Sequence, residues 1–306
     1  MGQEPLVSAI IPAYNAGAFL AQAIESVLAQ TLTATEAVVV DDGARDDTGA
    51  VADRYAAAHP DRVRVIHQEN QGLPLARNSA IKAARGRYFA LLDADDIWLP
   101  QHAERCAEVL ERDPSVGLVH ANAMCILADG TIMESYDPPR WTRPGLDAFL
   151  EILLRRQHVC CVTAVFRRSV IDQIGMFDAR FNRLGCEDRD MWLRIAQVAK
   201  LHYLNETHAK YRVHGNNMSS NTEKMLKARR ILVDKFATGI LRRRAMAGIE
   251  AELGHDLAAG SQVLGSIKAF SRAIAYDPTR IDAWKGLLRR VLMGRRLATD
   301  PRHQAV

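Results

Sequence analysis

No run in the 306 residues approaches the roughly 18 consecutive apolar positions that a membrane-spanning helix needs, so a transmembrane chain is not expected. Met1-Gly2-Gln3-Glu4-Pro5 lacks the basic flank and apolar core of a secretory signal, which points to the cytoplasm. Cysteine is scarce: Cys106, Cys125, Cys160, Cys161 and Cys186 are odd in number and contain no C-x-x-C pair. That fits neither a disulfide framework nor a thiolate zinc cage, and it suits buried, reduced side chains. A G-x-G-x-x-G fingerprint and a G-x-x-x-x-G-K phosphate loop are both missing, which weighs against nicotinamide and ATP chemistry.

What is present is a globular balance, 48% apolar and 25% charged, with enough length for one large domain or two smaller ones. The net charge of +4 conceals an asymmetry: residues 1–223 carry 23 Lys/Arg against 29 Asp/Glu, and residues 224–306 carry 17 against 7. The basic tail has no accompanying nucleic-acid motif, so no nucleic-acid partner is expected; an anionic lipid surface or plain water would suit it.

Short β-branched runs alternate with helix-length stretches from the start: Val7–Ile11 then Ala18–Gln30, Ala37–Val40 then Asp47–Ala58, Val63–Ile66 then Leu75–Ala84, Tyr88–Leu92 then Pro100–Arg112, and Val116–His120. Such spacing predicts a mostly parallel sheet with helices on both faces, whose ligands sit beyond the carboxyl ends of the strands. After about residue 121 the pattern becomes a hairpin turning at Ala128-Asp129-Gly130, then Pro-rich Asp137-Pro138-Pro139-Arg140-Trp141. From Thr222 onward the chain reads as helical, and Ser266–Pro278 resembles the second helix of one tetratricopeptide repeat.

The strand ends carry the chemistry. Asp93-Ala94-Asp95 places two carboxylates on a sharp turn, a pairing that suits Mg²⁺ or Mn²⁺ with substrate phosphates as further ligands, or simply an acidic turn before a helix. Asp41 and Asp42 leave a neighbouring strand on the same edge, where a carboxylate can accept from a base N–H or a ribose hydroxyl. Gly72-Leu73-Pro74 opens a helix beside them, offering backbone N–H groups to an anion, and Arg77 adds a fixed positive charge or a surface ion pair. Asp188 begins the amphipathic stretch Met191–Val198 and read alone would be a helix N-cap. Trp98 and Trp192 read as core, whereas Trp141, between Arg140 and Arg143, suits a lid over a bound ligand.

Taken together, Val7-Ser8-Ala9-Ile10-Ile11-Pro12-Ala13-Tyr14-Asn15, Val40-Asp41-Asp42-Gly43, Asn70-Gln71-Gly72 with Ala76-Arg77-Asn78, and Leu92-Asp93-Ala94-Asp95-Asp96-Ile97-Trp98-Leu99-Pro100 resemble glycosyltransferase family 2, inverting enzymes of the GT-A fold. The resemblance resumes at Ile174–Asp178, Glu187-Asp188-Arg189-Asp190-Met191-Trp192-Leu193-Arg194 and Tyr211-Arg212-Val213-His214, so it spans about residues 5–220. It implies a catalytic domain over 1–221, an α/β nucleotide-diphospho-sugar transferase fold with a Rossmann-like sheet, and a helical C-terminal extension over 222–306.

By that resemblance Pro12, Tyr14, Asn15, Asp41, Gly72, Arg77, Asp93 and Ala94 contact the nucleotide, with Asp93 at the ribose. Asp95 and His214 hold a divalent metal, Mn²⁺ or Mg²⁺, that bridges the diphosphate; Asp188 is the catalytic base and Glu187 hydrogen-bonds the acceptor. Ala44 departs from the family pattern, where a hydroxyl residue is usual after the glycine, which weakens one turn bond.

The implied activity is hexosyl transfer from a nucleotide-sugar, with UDP as the expected nucleotide, to a hydroxyl of a glycan or lipid-linked acceptor, as in polysaccharide biosynthesis. Two rivals stand beside it: the same fold with another nucleotide, and a catalytically silent nucleotide-binding scaffold whose helical tail binds a protein partner. Trp284–Leu297 has the basic amphipathic character of a helix lying on an anionic membrane, equally that of a terminal helix packed on its domain.

Overall fold

In a computed structural model, residues 4–133, 147–154, 158–215 and 221–298 are described, those of 292–298 only as helix backbone. The chain divides into two compact units, Met1–Ser220 and Asn221–Val306.

The first unit begins with four parallel strands, β1 (Val7–Ala13), β2 (Thr35–Asp41), β3 (Val63–His67) and β4 (Tyr88–Leu91), joined through α1 (Gly17–Leu28), α2 (Thr48–Ala58) and α3 (Leu73–Ala83). Every residue of β1 is buried, as expected of a strand covered on both faces, and that is why its sequence is an apolar run without alternation. The chain continues through β5 (Ile97–Trp98), α4 (His102–Arg112), β6 (Val116–Leu127), α5 (Ala148–Leu153), β7 (Val165–Arg167), α6 (Arg168–Ile174), α7 (Glu187–Ala196) and β8 (Lys200–Val213).

Among the described residues these strands make one mixed sheet in the order β3-β2-β1-β4-β7-β6-β8-β5. Short β7 runs antiparallel to both β4 and β6, and so joins the Rossmann-like half to a second half in which β6 and β8 are parallel. The 14-residue β8 had no counterpart in the alternation read from the sequence. Its composition, Lys-Leu-His-Tyr-Leu-Asn-Glu-Thr-His-Ala-Lys-Tyr-Arg-Val, lacks a strict period of two, and its pairing with β6 shifts register at Ala121/Asn122 and Asn122/Ala123. Irregular pairing of that kind relaxes the alternation on which a strand is recognised.

The hairpin after β6 is present: Leu127 donates to Thr131 (2.8 Å), Met133 donates to Cys125 (2.9 Å), and Gly130 turns at φ +90°. Trp98 and Trp192 are core side chains, and the Trp98 indole donates to the Val162 carbonyl (2.8 Å). All five cysteines are free.

The second unit is α8 (Thr222–Phe236), α9 (Gly239–Ala259), α10 (Val263–Tyr276) and α11 (Ile281–Ala298). Its small core centres on Phe270 with Ala251, Ala273 and Ala283. A side chain at Gly254 would come within 2.7 Å of the Phe270 ring and one at Gly286 within 2.4 Å, so both glycines are where they are to admit that ring. Buried Glu250 is held by Arg230 and Arg272, each at 2.8 Å. No helix among the described residues is long and apolar enough to cross a membrane.

Candidate active site

The parallel half of the sheet determines which side chains meet. Ala13 at the end of β1 pairs with Asp41 at the end of β2, and Leu92 donates to Ile10, keeping the exit of β4 alongside. Tyr14, Asp41 and Asp93 therefore leave adjacent parallel strands at one edge. Pro12 is buried in β1, whereas Tyr14 is exposed. Asn15 adopts φ +49° and its Oδ1 accepts from the Arg45 N–H at 2.8 Å, which ties the β1 exit to the turn after β2.

Asp41 Oδ1 accepts from Ala44 N–H at 3.0 Å, a backbone bond that does not depend on the hydroxyl residue Ala44 replaces. Its Oδ2 meets Nδ1 of His67 at 3.0 Å, and the other nitrogen of that ring meets Asp53 at 2.9 Å. Bonds to Asp41 and then Asp53 raise the His67 pKa above its ordinary value. Gly49 makes room for the pair, since a Cβ there would lie 2.8 Å from Asp41 Oδ2.

Asp42 behaves differently from its neighbour. It is 3% exposed, and its carboxylate accepts from Gln68 Nε2 (2.6 Å), Gln71 N–H (2.9 Å) and Gly72 N–H (2.8 Å). Both of those N–H groups precede α3, so the carboxylate pins the loop that leads into the helix. Gly72 is needed for its φ of +87° and because Asn182 Oδ1 sits 1.9 Å from where its Cβ would be.

Arg77 is 1% exposed, and its guanidinium bridges Asp93 (2.7 Å) and Glu187 (2.7 Å), with Cys161 Sγ 3.6 Å away and the Phe177 ring 5.5 Å away. It is a strut between two carboxylates, a fixed charge whose ion pairs are buried and not at the surface. Adjacent Asn78 exchanges two 2.9 Å bonds with the backbone of Phe177, so α3 anchors both the Phe177 segment and the start of α7.

Helix α7 begins at Glu187, so Asp188 lies inside the helix and not at the N-cap position that it would take if read alone. Cys186, at φ +65°, is the residue in the N-cap position, and Asp188 lies half-buried within the first turn, its Oδ1 bonded to Arg189 N–H at 2.7 Å. Asp190 serves the helix, accepting from Arg194 at 2.8 Å. Burial lifts Glu187 to about 7 against the pull of Arg77, and the charge of Asp188 adds to the rise. Burial pushes the Cys161 thiol well up, helped by Asp93, Asp188 and Glu187. These three carboxylates share one neighbourhood around Arg77 and Cys161.

Asp95 Oδ2 meets His214 Nε2 at 2.8 Å, while Ala94 between the two acids is buried. Burial and then the charge of Asp93 raise the Asp95 pKa. No group of three metal-ligating side chains converges among the described residues. One carboxylate and one imidazole nevertheless fit a divalent ion whose remaining ligands come from substrate phosphates and water.

Several participants escaped the sequence reading: His67, Asp42 as a loop pin, Cys161, Asn182, and the Arg212 side chain. Asp42 and Arg212 stand inside the quoted motifs but nothing local shows what they bond, and His67, Cys161 and Asn182 sit in no recognisable spacing. Trp141, with Arg140 and Arg143, lies outside the described residues.

Comparison with known proteins gives a match over residues 8–175 to the family model described as glycosyl transferase family 2. A chondroitin synthase of Escherichia coli is 31% identical over 216 residues, 70% of this chain, and the chain spans only 30% of that relative's length. Staphylococcus aureus TarS 1–349, solved in complex with UDP-GlcNAc, superposes with a TM-score of 0.62 at 17% identity, covering 93% of this chain and 88% of that one. The mannosyltransferase PcManGT of Pyrobaculum calidifontis, solved with GDP-Man and Mn²⁺, gives 0.59 at 18% identity over 99% and 83% of the two chains. At such identities the solved structures speak for a shared GT-A fold.

Proposed function

The chain belongs to glycosyltransferase family 2, and from that premise we propose that it transfers a hexosyl group from a UDP-sugar to a hydroxyl of a glycan or lipid-linked acceptor, with inversion at the anomeric carbon. The observation carrying this reading is the Asp93–Arg77–Glu187 bridge, because it ties the turn assigned to the donor to the first turn of the helix that bears Asp188. The TarS complex with UDP-GlcNAc supports the donor class.

Asp188 accepts the proton of the attacking hydroxyl, whose oxygen bonds to the anomeric carbon as the carbon–oxygen bond to the diphosphate breaks and its electron pair leaves with the nucleotide. Glu187 lies one residue from Asp188 and bonds the acceptor through the edge that Arg77 leaves free. Asp41 accepts an N–H from the base, with Tyr14, Asn15 and Pro12 around it; Gly72 and Ala94 contribute backbone at the same edge, and Asp93 faces the ribose. Asp95 and His214 would hold Mn²⁺ or Mg²⁺, which when bound offsets the negative charge of the departing diphosphate.

A GDP-sugar is the second reading. An Asp41 carboxylate can accept from guanine as well as from uracil, and the PcManGT complex contains GDP-Man. The catalytic domain is assigned to 1–221 and the helical extension to 222–306. Its α11 exposes Ile281, Trp284, Leu288 and Val291 in one row beside Lys285 and Arg289, a face suited to peripheral contact with an anionic membrane on its cytoplasmic side.

Hydrolysis profiling by mass spectrometry with a panel of nucleotide-sugars and Mn²⁺ tests the donor. Release of sugar from a UDP donor, lost by roughly 10²–10⁴-fold in Asp188→Asn while UDP still binds, is the expected result. Equal turnover by wild type and Asp188→Asn on a confirmed acceptor would remove Asp188 as the base, and no turnover of any donor would favour the scaffold reading.

A further inference from the structure

The tertiary structure gathers an unusual density of bonds on Arg212, a side chain 1% exposed near the end of β8. Its Nε donates to the backbone carbonyl of Asp95 at 2.7 Å, and its own backbone N–H donates to Asp96 Oδ1 at 2.7 Å. Its Nη1 donates to the carbonyls of Leu127 (3.2 Å) and Ala128 (2.8 Å), and Nη2 donates to Gln22 Oε1 on α1 at 2.7 Å. The guanidinium also lies 4.7 Å from the Phe19 ring centroid, and the same ring stacks with His214 at 5.7 Å and 11°. One planar cation thus reaches the acidic turn, the end of β6 and α1.

We propose that Arg212 is a positioning residue for the Asp95–His214 pair: it sets the orientation of both side chains before any ligand arrives. The inference rests on the reading of that pair as the metal site. Three geometric facts support it. Arg212, near the end of β8, and His214, one residue beyond that end, are separated only by Val213, so the strand end that Arg212 holds also delivers the imidazole to the turn. The Asp95 peptide, from which the carboxylate projects, is held at its carbonyl by the Arg212 Nε, and one residue on the Asp96 carboxylate accepts from the Arg212 backbone N–H. Phe19, touched by both Arg212 and His214, limits rotation of the imidazole. A lysine would keep the charge but cannot present the fork of N–H donors that reaches separate acceptors.

Groups that orient a metal's ligands, without touching the metal, typically account for about 10–100-fold in affinity. The test measures the dissociation constant for Mn²⁺ by electron paramagnetic resonance, with UDP present, on the full chain. Arg212→Lys, Phe19→Leu and Gln22→Ala are compared with wild type and with Asp95→Asn, each checked for a folded far-UV spectrum. The expected result is a loss of about 10–100-fold for Arg212→Lys and about tenfold for Phe19→Leu, with UDP affinity measured without metal unchanged. If Asp95→Asn weakens Mn²⁺ binding but Arg212→Lys does not, the positioning role is refuted while the metal site stands. If Asp95→Asn leaves Mn²⁺ binding as it was, the metal reading itself fails and this inference with it. Should Arg212→Lys not fold, the two α1 variants decide: unchanged affinity in folded Phe19→Leu and Gln22→Ala overturns the proposal.

Discussion

Replacing Arg77 with methionine removes the cation between Asp93 and Glu187 while keeping a long apolar stem. Both bonds are 2.7 Å, but the partners differ in exposure, 31% for the Asp93 side chain and 7% for Glu187, so nearly all the cost falls on Glu187. Breaking a buried ion pair by removing one partner costs about 3–5 kcal/mol, because the remaining charge has lost both water and counter-ion. For a unit of this size about 1 kcal/mol corresponds to ~2–4 °C, so Arg77→Met should lower the melting temperature of the catalytic unit by roughly 6–20 °C. Glu187 can limit the loss by taking up a proton, since it already titrates at about 7, which favours the lower half of that range at neutral pH.

The double variant Arg77→Met/Glu187→Gln carries no stranded charge. It should be more stable than the sum of the single changes implies, with a coupling of about 0.5–3 kcal/mol by calorimetry or urea titration at pH 7. Additivity of the two changes, or an Arg77→Met melting temperature within about 2 °C of wild type, would refute the argument that this is a desolvated pair.

The titration of Glu187 makes a separate prediction. Its folded value of about 7 lies above the ordinary 4.5, so the folded state holds the proton more tightly and the associated stability is present below 4.5 and lost as pH rises through 7. The loss is on the order of 3 kcal/mol, and Glu187→Gln should flatten that part of the stability–pH curve; parallel curves would count against it. Gly49→Ala puts a methyl group 2.8 Å from Asp41 Oδ2, so donor KM should rise with kcat and melting temperature unchanged, and an unaltered KM would deny Asp41 a part in binding the nucleotide. Asp42→Ala deprives the part-buried N–H groups of Gln71 and Gly72 of a charged acceptor, a loss of about 1.5–3 kcal/mol for each bond at most, and hydrogen exchange should quicken at residues 68–72. Protection there equal to wild type would mean the pin is dispensable.

How far the site was legible depended on whether its residues are neighbours along the chain. The turns after β1, β2 and β4 lie directly behind apolar runs, so their acids could be placed at one sheet edge from order alone. Asp41 and Asp42 show the limit: adjacent in sequence, one engages His67 and stays at the edge, the other turns inward onto three donors, and the choice is made by where the 68–72 loop packs. Arg77 was recognisable as a site residue but not as a buried strut, because its two partners come from β4's turn and from α7, 110 positions away for Glu187. The hidden start of α7 has a local cause as well: a cysteine at φ +65° is an unfavourable cap that no capping preference anticipates.

Local order in the chain, with strand, turn and helix following one another in short connections, determined the Rossmann-like half, the acidic edge and the helical nature of the C-terminal unit. Hydrophobic run lengths and turn residues carry that information without help from distant partners. Only the tertiary structure decided which carboxylates are spent on the protein itself, through the Arg77 bridge and the Asp42 pin, and which remain at the edge. It also decided that β8 brings Arg212 and His214 to the Asp95 turn, because long-range strand pairing depends on packing between segments more than 100 residues apart, which no periodicity within either segment records.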